Sequence, residues 1–107
     1  MSTDFERIEV KNNEDEQQYE VKAEGHTAML VYEREGNSIT FLHTEVPPAL
    51  EGHGIASMLA HTALEDARAQ QLSVVPLCPF VASYIRRHPE YLSLLSEGEQ
   101  ARLRRTK

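Results

Sequence analysis

Cysteine is almost absent from this chain: Cys78 is the only one in 107 residues. A lone thiol closes no intrachain disulfide, and a zinc site built on paired cysteines cannot form. That usage suits a reducing compartment, so a cytoplasmic location is expected. Long apolar runs are also missing. No stretch approaches the roughly 20 residues needed to cross a bilayer. Met1-Ser-Thr-Asp4 leads into acidic residues rather than a basic and then apolar stretch, so no secretory signal is expected. The histidines are scattered without His-x-Glu-x-x-His spacing, which argues against a metal site. Positive charge is in deficit: the formal net charge is -6, against nucleic-acid binding as the main role. Repeats and low-complexity segments are missing as well.

What remains is one domain, since two of half this length would each be too small to bury a good core. Alternation predicts strands at Phe5 to Val10, Gln18 to Ala23, Thr27 to Arg34 and Ser38 to Val46. Tyr19, Val21 and Ala23 share one face. Met29 and Val31 oppose Leu30 and Tyr32. Ile39, Phe41 and His43 oppose Leu42, Thr44 and Val46. Asn12 to Glu16 reads as a polar turn and Gly36-Asn37 as a tight hairpin turn. The period then changes. Ile55, Met58, Leu59, Thr62, Ala63 and Ala67 recur at helical spacing from about Gly54 to Gln70. Leu72 to Leu77 reads as a buried strand, Pro79 to Arg87 as a second helix, and Tyr91 to Leu95 as an apolar closing segment. The acidic opening and the basic tail Arg102 to Lys107 suggest flexible ends at 1–4 and 98–107, the tail as a solvated helix end.

The fold class is therefore α/β (α+β), with a mixed sheet in the order β-β-β-β-α-β-α. The strand, helix and strand in the middle form a right-handed crossover, which makes the fourth and fifth strands parallel neighbours. Pro76 within the fifth strand gives no N–H to a ladder, so this pair should splay there and leave backbone groups of the fourth strand to a ligand. Between the fourth strand and the helix lies Val46-Pro-Pro-Ala-Leu-Glu-Gly-His-Gly-Ile-Ala56. Gly52 and Gly54 stand where the helix begins. A helix start carries N–H groups without intrahelical partners and partial positive charge, which suits a phosphate or pyrophosphate.

The segments His43-Thr-Glu-Val-Pro-Pro48, Gly52-His-Gly-Ile-Ala-Ser57, Val75-Pro-Leu-Cys-Pro-Phe80 and Tyr84-Ile-Arg-Arg-His-Pro-Glu-Tyr91, in this order, resemble the GNAT superfamily of acyl-CoA-dependent N-acetyltransferases. Within it they resemble the small single-domain GNAT-like group of about a hundred residues. The resemblance implies acetyl-CoA or coenzyme A as cofactor. Its pyrophosphate would sit on the backbone N–H groups of Glu51, Gly52, His53, Gly54, Ile55 and Ala56, with the thioester ending near Val46 and Cys78. Two features depart from the superfamily. Ala49 stands where Arg or Gln is usual, although the cradle is mainly backbone. Only Asn12 to Gln17 replaces the helices that usually wall the acceptor site. The acceptor cleft should then be shallow and open, better suited to a protein or peptide amine than to a small molecule. A CoA-binding module with little or no catalysis is the alternative.

Acetyl transfer needs a base for the ammonium, a donor for the oxyanion and an acid for the leaving thiolate. A backbone N–H near Val46 can serve the oxyanion. Glu45 and His43, on one face at the cleft end of the fourth strand, are the candidate bases. Tyr84 is similar in position to the tyrosine that acts as the acid in many GNAT enzymes. Cys78 is either a nucleophile in a ping-pong route or a small buried side chain. Arg86 and Arg87 either reach the adenosine phosphate of the cofactor or form salt bridges, and salt bridges are the expectation. The oligomeric state is left open.

Overall fold

The computed structural model describes residues 8–105. The elements are β1 (Lys11–Asn13), β2 (Gln18–Ala23), β3 (His26–Glu35), β4 (Ser38–Glu45), a 3-10 turn (Pro48–Leu50), α1 (Ile55–Ala69), β5 (Ser73–Pro76), α2 (Pro79–Arg87), a 3-10 segment (Pro89–Leu94) and α3 (Glu97–Arg105). The sheet order is β1-β2-β3-β4-β5. The first three pairings are antiparallel and β4–β5 is parallel, as the crossover requires.

Helices cover one face of this sheet. Tyr19, Val21 and Ala23 of β2, Ala28, Leu30 and Tyr32 of β3, and Ile39 and Phe41 of β4 are buried beneath them. Opposite, α1 buries Ile55, Leu59, Ala60, Ala63, Leu64 and Ala67. Burying a side chain such as Leu30, Phe41, Leu59 or Leu64 contributes about 1.5–3 kcal/mol each. Two tyrosines fix α1 by their hydroxyls. Tyr19 donates to Asp66 at 2.9 Å and Tyr91 donates to Glu65 at 2.6 Å. The helix stops at Gln71, whose φ of 59° is left-handed. There the N–H groups of Gln71 and Leu72 bond the carbonyls of Arg68 and Ala67 at 3.1 and 2.9 Å.

Two strand expectations need correction. The first strand, expected at Phe5 to Val10, is Lys11–Asn13, paired with Gln18 to Glu20. Residues 5–7 lie outside the described residues, and Ile8 and Val10 pack against the core without ladder pairing. A turn decides this. Gln17, at φ 53°, donates its N–H to the Glu14 carbonyl at 3.2 Å, and the Glu16 N–H reaches the Asn13 side chain at 3.2 Å. The turn lies two residues later than the composition suggested, so polar residues form the pairing strand.

The second correction concerns β4. Val31 opposes His43 while Tyr32 opposes Phe41, so Leu42 is an extra residue, a bulge. It inverts the alternation beyond Phe41. Thr44 now follows Ile39 and Phe41 toward the helices, while His43 and Glu45 turn to the other face. Alternation read from sequence had paired His43 with Phe41 and Thr44 with Leu42.

The segment expected as a solvated tail is α3. Its Leu103 is buried, and Arg102 donates to the Pro76 carbonyl at 3.0 Å. No helix among the described residues is long and apolar enough to cross a membrane.

Candidate functional site

The β4–β5 ladder ends at the pair Phe41 and Pro76, whereas β4 continues to Glu45. The Cys78 N–H closes the split with a bond to the Phe41 carbonyl at 2.8 Å. From there β4 loses its partner on that side, as Pro76 led one to expect. The chain then enters the 3-10 turn, where Leu50 and Glu51 donate their N–H groups to Pro47 and Pro48 at 2.8 and 3.2 Å. Leu50 is fully buried and pins this loop to the core.

Gly52 and Gly54 follow with φ of 87° and 73°. A Cβ at either position would meet no heavy atom within 4 Å. The glycines are therefore required by backbone conformation, not by crowding. Gly54 caps α1 without a side-chain bond, and the first intrahelical N–H is that of Met58, bonded to Gly54 at 3.1 Å. The N–H groups of Ile55, Ala56 and Ser57 head the helix, where dipole and donors favour an anion.

A shallow cleft of about 180 Å³ runs along this turn. Val46, Glu51, Gly52, Gly54, Ile55 and Ala56 line it, together with Leu50, Ser57 and Phe80. Two of the expected cradle residues stand differently. His53 is exposed and is not part of the lining. Glu51 lines the cleft, but its N–H is already bonded within the 3-10 turn. The donor set therefore begins later in the chain, in the first turn of α1. Leu50, Ser57 and Phe80 were not singled out from sequence. Phe80 had a signal, since it lies four residues before Tyr84 on the same face of α2. Leu50 had none, because a buried leucine in a loop has no periodic pattern around it.

Cys78 is buried at the start of α2, its Sγ 3.1 Å from the Thr44 hydroxyl across the split. Tyr84, one turn beyond Phe80, is buried and stacks on the His88 ring with centroids 4.1 Å apart. It also leans toward Phe80 and Tyr91. Burial, with the Glu90 carboxylate adding to it, raises the Tyr84 pKa above its ordinary value. The phenol therefore stays protonated, and its hydroxyl makes no hydrogen bond among the described residues. Tyr84 does not line the cleft.

His43 and Glu45 do come together, Nε2 to Oε1 at 3.5 Å, both well exposed. They lie on the helix-free side of β4, with Val46 and the cleft on the helix side. The structure thus separates the expected site into two parts joined only through the split. Among the described residues Arg86 and Arg87 form no ion pair: they donate to the Leu103 carbonyl at 3.3 Å and the Ser83 hydroxyl at 2.8 Å. Among the described residues no group of three His, Cys, Asp or Glu side chains is arranged to hold a metal.

Comparison with known proteins agrees with this architecture. Residues 18–94 match the family described as GCN5-related N-acetyl-transferase. Protein NATD1 of Mus musculus is 36% identical over 93 residues, which covers 82% of this chain and 84% of that protein. Protein NATD1 of Homo sapiens is also 36% identical over 93 residues, 82% of each chain. Among solved structures, a GCN5-like protein from Staphylococcus aureus, determined by NMR, superposes with a TM-score of 0.66. It is 24% identical and covers 90% of this chain and 91% of its own, a likeness of fold.

Proposed function

This chain belongs to the GCN5-related N-acetyl-transferase family, and on that premise we propose that it is an acetyl-CoA-dependent N-acetyltransferase. The observation that carries this reading is the split between β4 and β5. A glycine-lined cleft opens on its helix side, and a histidine–carboxylate pair stands on the other. Acetyl-CoA, when bound, supplies an acetyl group activated as a thioester and a diphosphate suited to a helix start.

The chain's own residues divide the work. Ile55, Ala56 and Ser57 present backbone donors, and Gly52 and Gly54 keep side chains clear of them. His53 flanks this turn, and Glu51 and Val46 wall the cleft. Beyond Phe41, the backbone of β4 offers N–H and C=O groups that β5 does not engage, including a donor near Val46 for a developing oxyanion. Glu45 or His43 takes the ammonium proton from an acceptor that arrives on the helix-free face. Tyr84, kept protonated by burial, donates to the leaving sulfur after a side-chain adjustment toward the cleft. Cys78, bonded to Thr44, acts as a small wall of the split and not as a nucleophile. With its single thiol buried, we assign the protein to a reducing, cytoplasmic setting.

One observation favours a second reading, a CoA-binding module without transfer: Tyr84 packs on His88 and Tyr91 outside the cleft lining. Calorimetric titration with acetyl-CoA, followed by mass spectrometry of amine and peptide mixtures, separates the two. Binding with transfer supports the enzyme; binding without transfer supports the module; no heat at millimolar cofactor removes both. If transfer occurs, Tyr84→Phe should lower kcat by about 10²-fold or more, the scale of general acid catalysis. Cys78→Ala should leave kcat nearly unchanged, and a complete loss would restore the covalent route.

A further inference from the structure

A second hollow, of about 200 Å³, lies where the end of β5, α2 and α3 meet. It shares no lining residue with the glycine cleft. Pro76, Leu77, Pro79, Ala82 and Leu103 form its apolar walls, and Arg86 and Arg102 stand among them. Pro79, Ala82 and Arg86 recur at helical spacing, so one face of α2 bears them. Small side chains create the space. Prolines and an alanine fill less of it than leucines would, and α3 brings one buried side chain, Leu103, to the contact. Leu77, 53% exposed, is left at the rim.

Backbone carbonyls hold both guanidinium groups. Arg86 Nη1 donates to Leu103 at 3.3 Å, and Arg102 Nη2 donates to Pro76 at 3.0 Å. Their charges are balanced differently. Glu99 lies 2.9 Å from Arg102 and offsets its charge. Arg86 has no carboxylate partner among the described residues. Its one bond to Leu103 leaves most of the guanidinium donors to another acceptor. A fixed cation beside apolar walls selects an anion with an apolar body. The Glu99 carboxylate opposes a second negative charge, so the anion carries one. Size narrows the choice further. An apolar cavity of about 150 Å³ takes benzene, so this one has room for a ring or branched chain and a carboxylate.

We propose that this hollow binds a small monocarboxylate with an apolar body of about six carbons. Its two oxygens accept N–H bonds from Arg86, a fork that matches a carboxylate. Its body lies between Pro76, Leu77, Ala82 and Leu103. Such a ligand joins β5, α2 and α3. It touches neither the glycine turn nor the His43 and Glu45 pair, so the inference is independent of the transferase reading.

The test titrates the full, isotope-labelled chain with phenylacetate, phenylacetamide and phenethylamine and follows its amide NMR signals. Phenylacetate should give saturable shifts centred on Leu77, Ala82 and Leu103. Its Kd should be about 1 mM or tighter, within reach of about ten non-hydrogen atoms. The neutral amide and the cationic amine should bind at least about 10-fold more weakly, since each loses the charged bonds to Arg86. Arg86→Gln, its fold checked by the same spectrum, should weaken phenylacetate by that factor and leave phenylacetamide unchanged. No saturable shift up to about 10 mM phenylacetate, shifts centred on the glycine turn instead, or equal binding of acid and amide overturns the inference. The comparison of acid with amide decides it even where Arg86→Gln does not fold.

Discussion

Gly54 and Gln71 bracket α1 with the same left-handed backbone, at φ 73° and 59°, and opposite chemical fitness for it. A Cβ at Gly54 meets open space, so Gly54→Ala has only a conformational cost, about 1–2 kcal/mol. Gln71 already bears that cost at the position where glycine most often ends a helix. Gln71→Gly should stabilise the fold by up to about 1 kcal/mol. Urea denaturation should show the two midpoints moving in opposite directions. Glycine announces its conformation in a sequence and glutamine does not, so the helical period gave the end of α1 near Gln70 but not the left-handed residue that closes it. Tyr91 carries the pH dependence at this scale. Its hydroxyl bond, ahead of Arg68 and His61, holds the Glu65 carboxyl below the ordinary glutamate range. A carboxyl depressed by folding stabilises the native state above its unfolded pKa, and that stability is lost as pH falls through the folded value. Tyr91→Phe should therefore lower stability at neutral pH and flatten its decline below about pH 4.3. Identical acid profiles for the two chains would contradict the assignment.

Single elements set what faces what. One extra residue at Leu42 puts Thr44 beside Cys78 and turns His43 and Glu45 to the helix-free side. Hydrophobic alternation could not reveal it, because beyond Phe41 the strand is half exposed on both faces and its pattern is weak. The faces of β2, by contrast, were plain, since Tyr19, Val21 and Ala23 alternate with polar residues and all three are buried. At the other edge, α3 docks through Leu103, its one buried side chain, and through Arg102 on the Pro76 carbonyl. Leu103→Ala should cost about 2–5 kcal/mol, the range for emptying a buried leucine site. A guanidinium denaturation curve unchanged by the substitution would mean that α3 adds nothing to the fold. The charge of this segment drew attention away from its one leucine, and a single apolar residue among arginines gives no periodicity to read.

For the whole molecule, ligand binding and stability are one measurement. If the cleft takes acetyl-CoA, a cofactor concentration of about 100 times Kd should stabilise the native state by about 2.7 kcal/mol and raise Tm by roughly 10 °C. Gly54→Ala should shrink that gain, whereas Leu103→Ala should lower the starting Tm and leave the gain intact. Local pattern was enough to order the strands and helices, to place the glycine turn at the head of α1 and to set the parallel crossover. These follow from periodicity, from proline's missing N–H and from glycine's freedom at positive φ, all properties of neighbours in the chain. Tertiary structure decided the rest: the bulge at Leu42, the engaged N–H of Glu51, the stacking of Tyr84 on His88 and the docking of α3. Each depends on strand register or on a partner brought near by folding, or on a short turn closing in one of several equivalent ways. That is why the cleft could be read from the chain, while the side of the sheet that bears His43 and Glu45 could not.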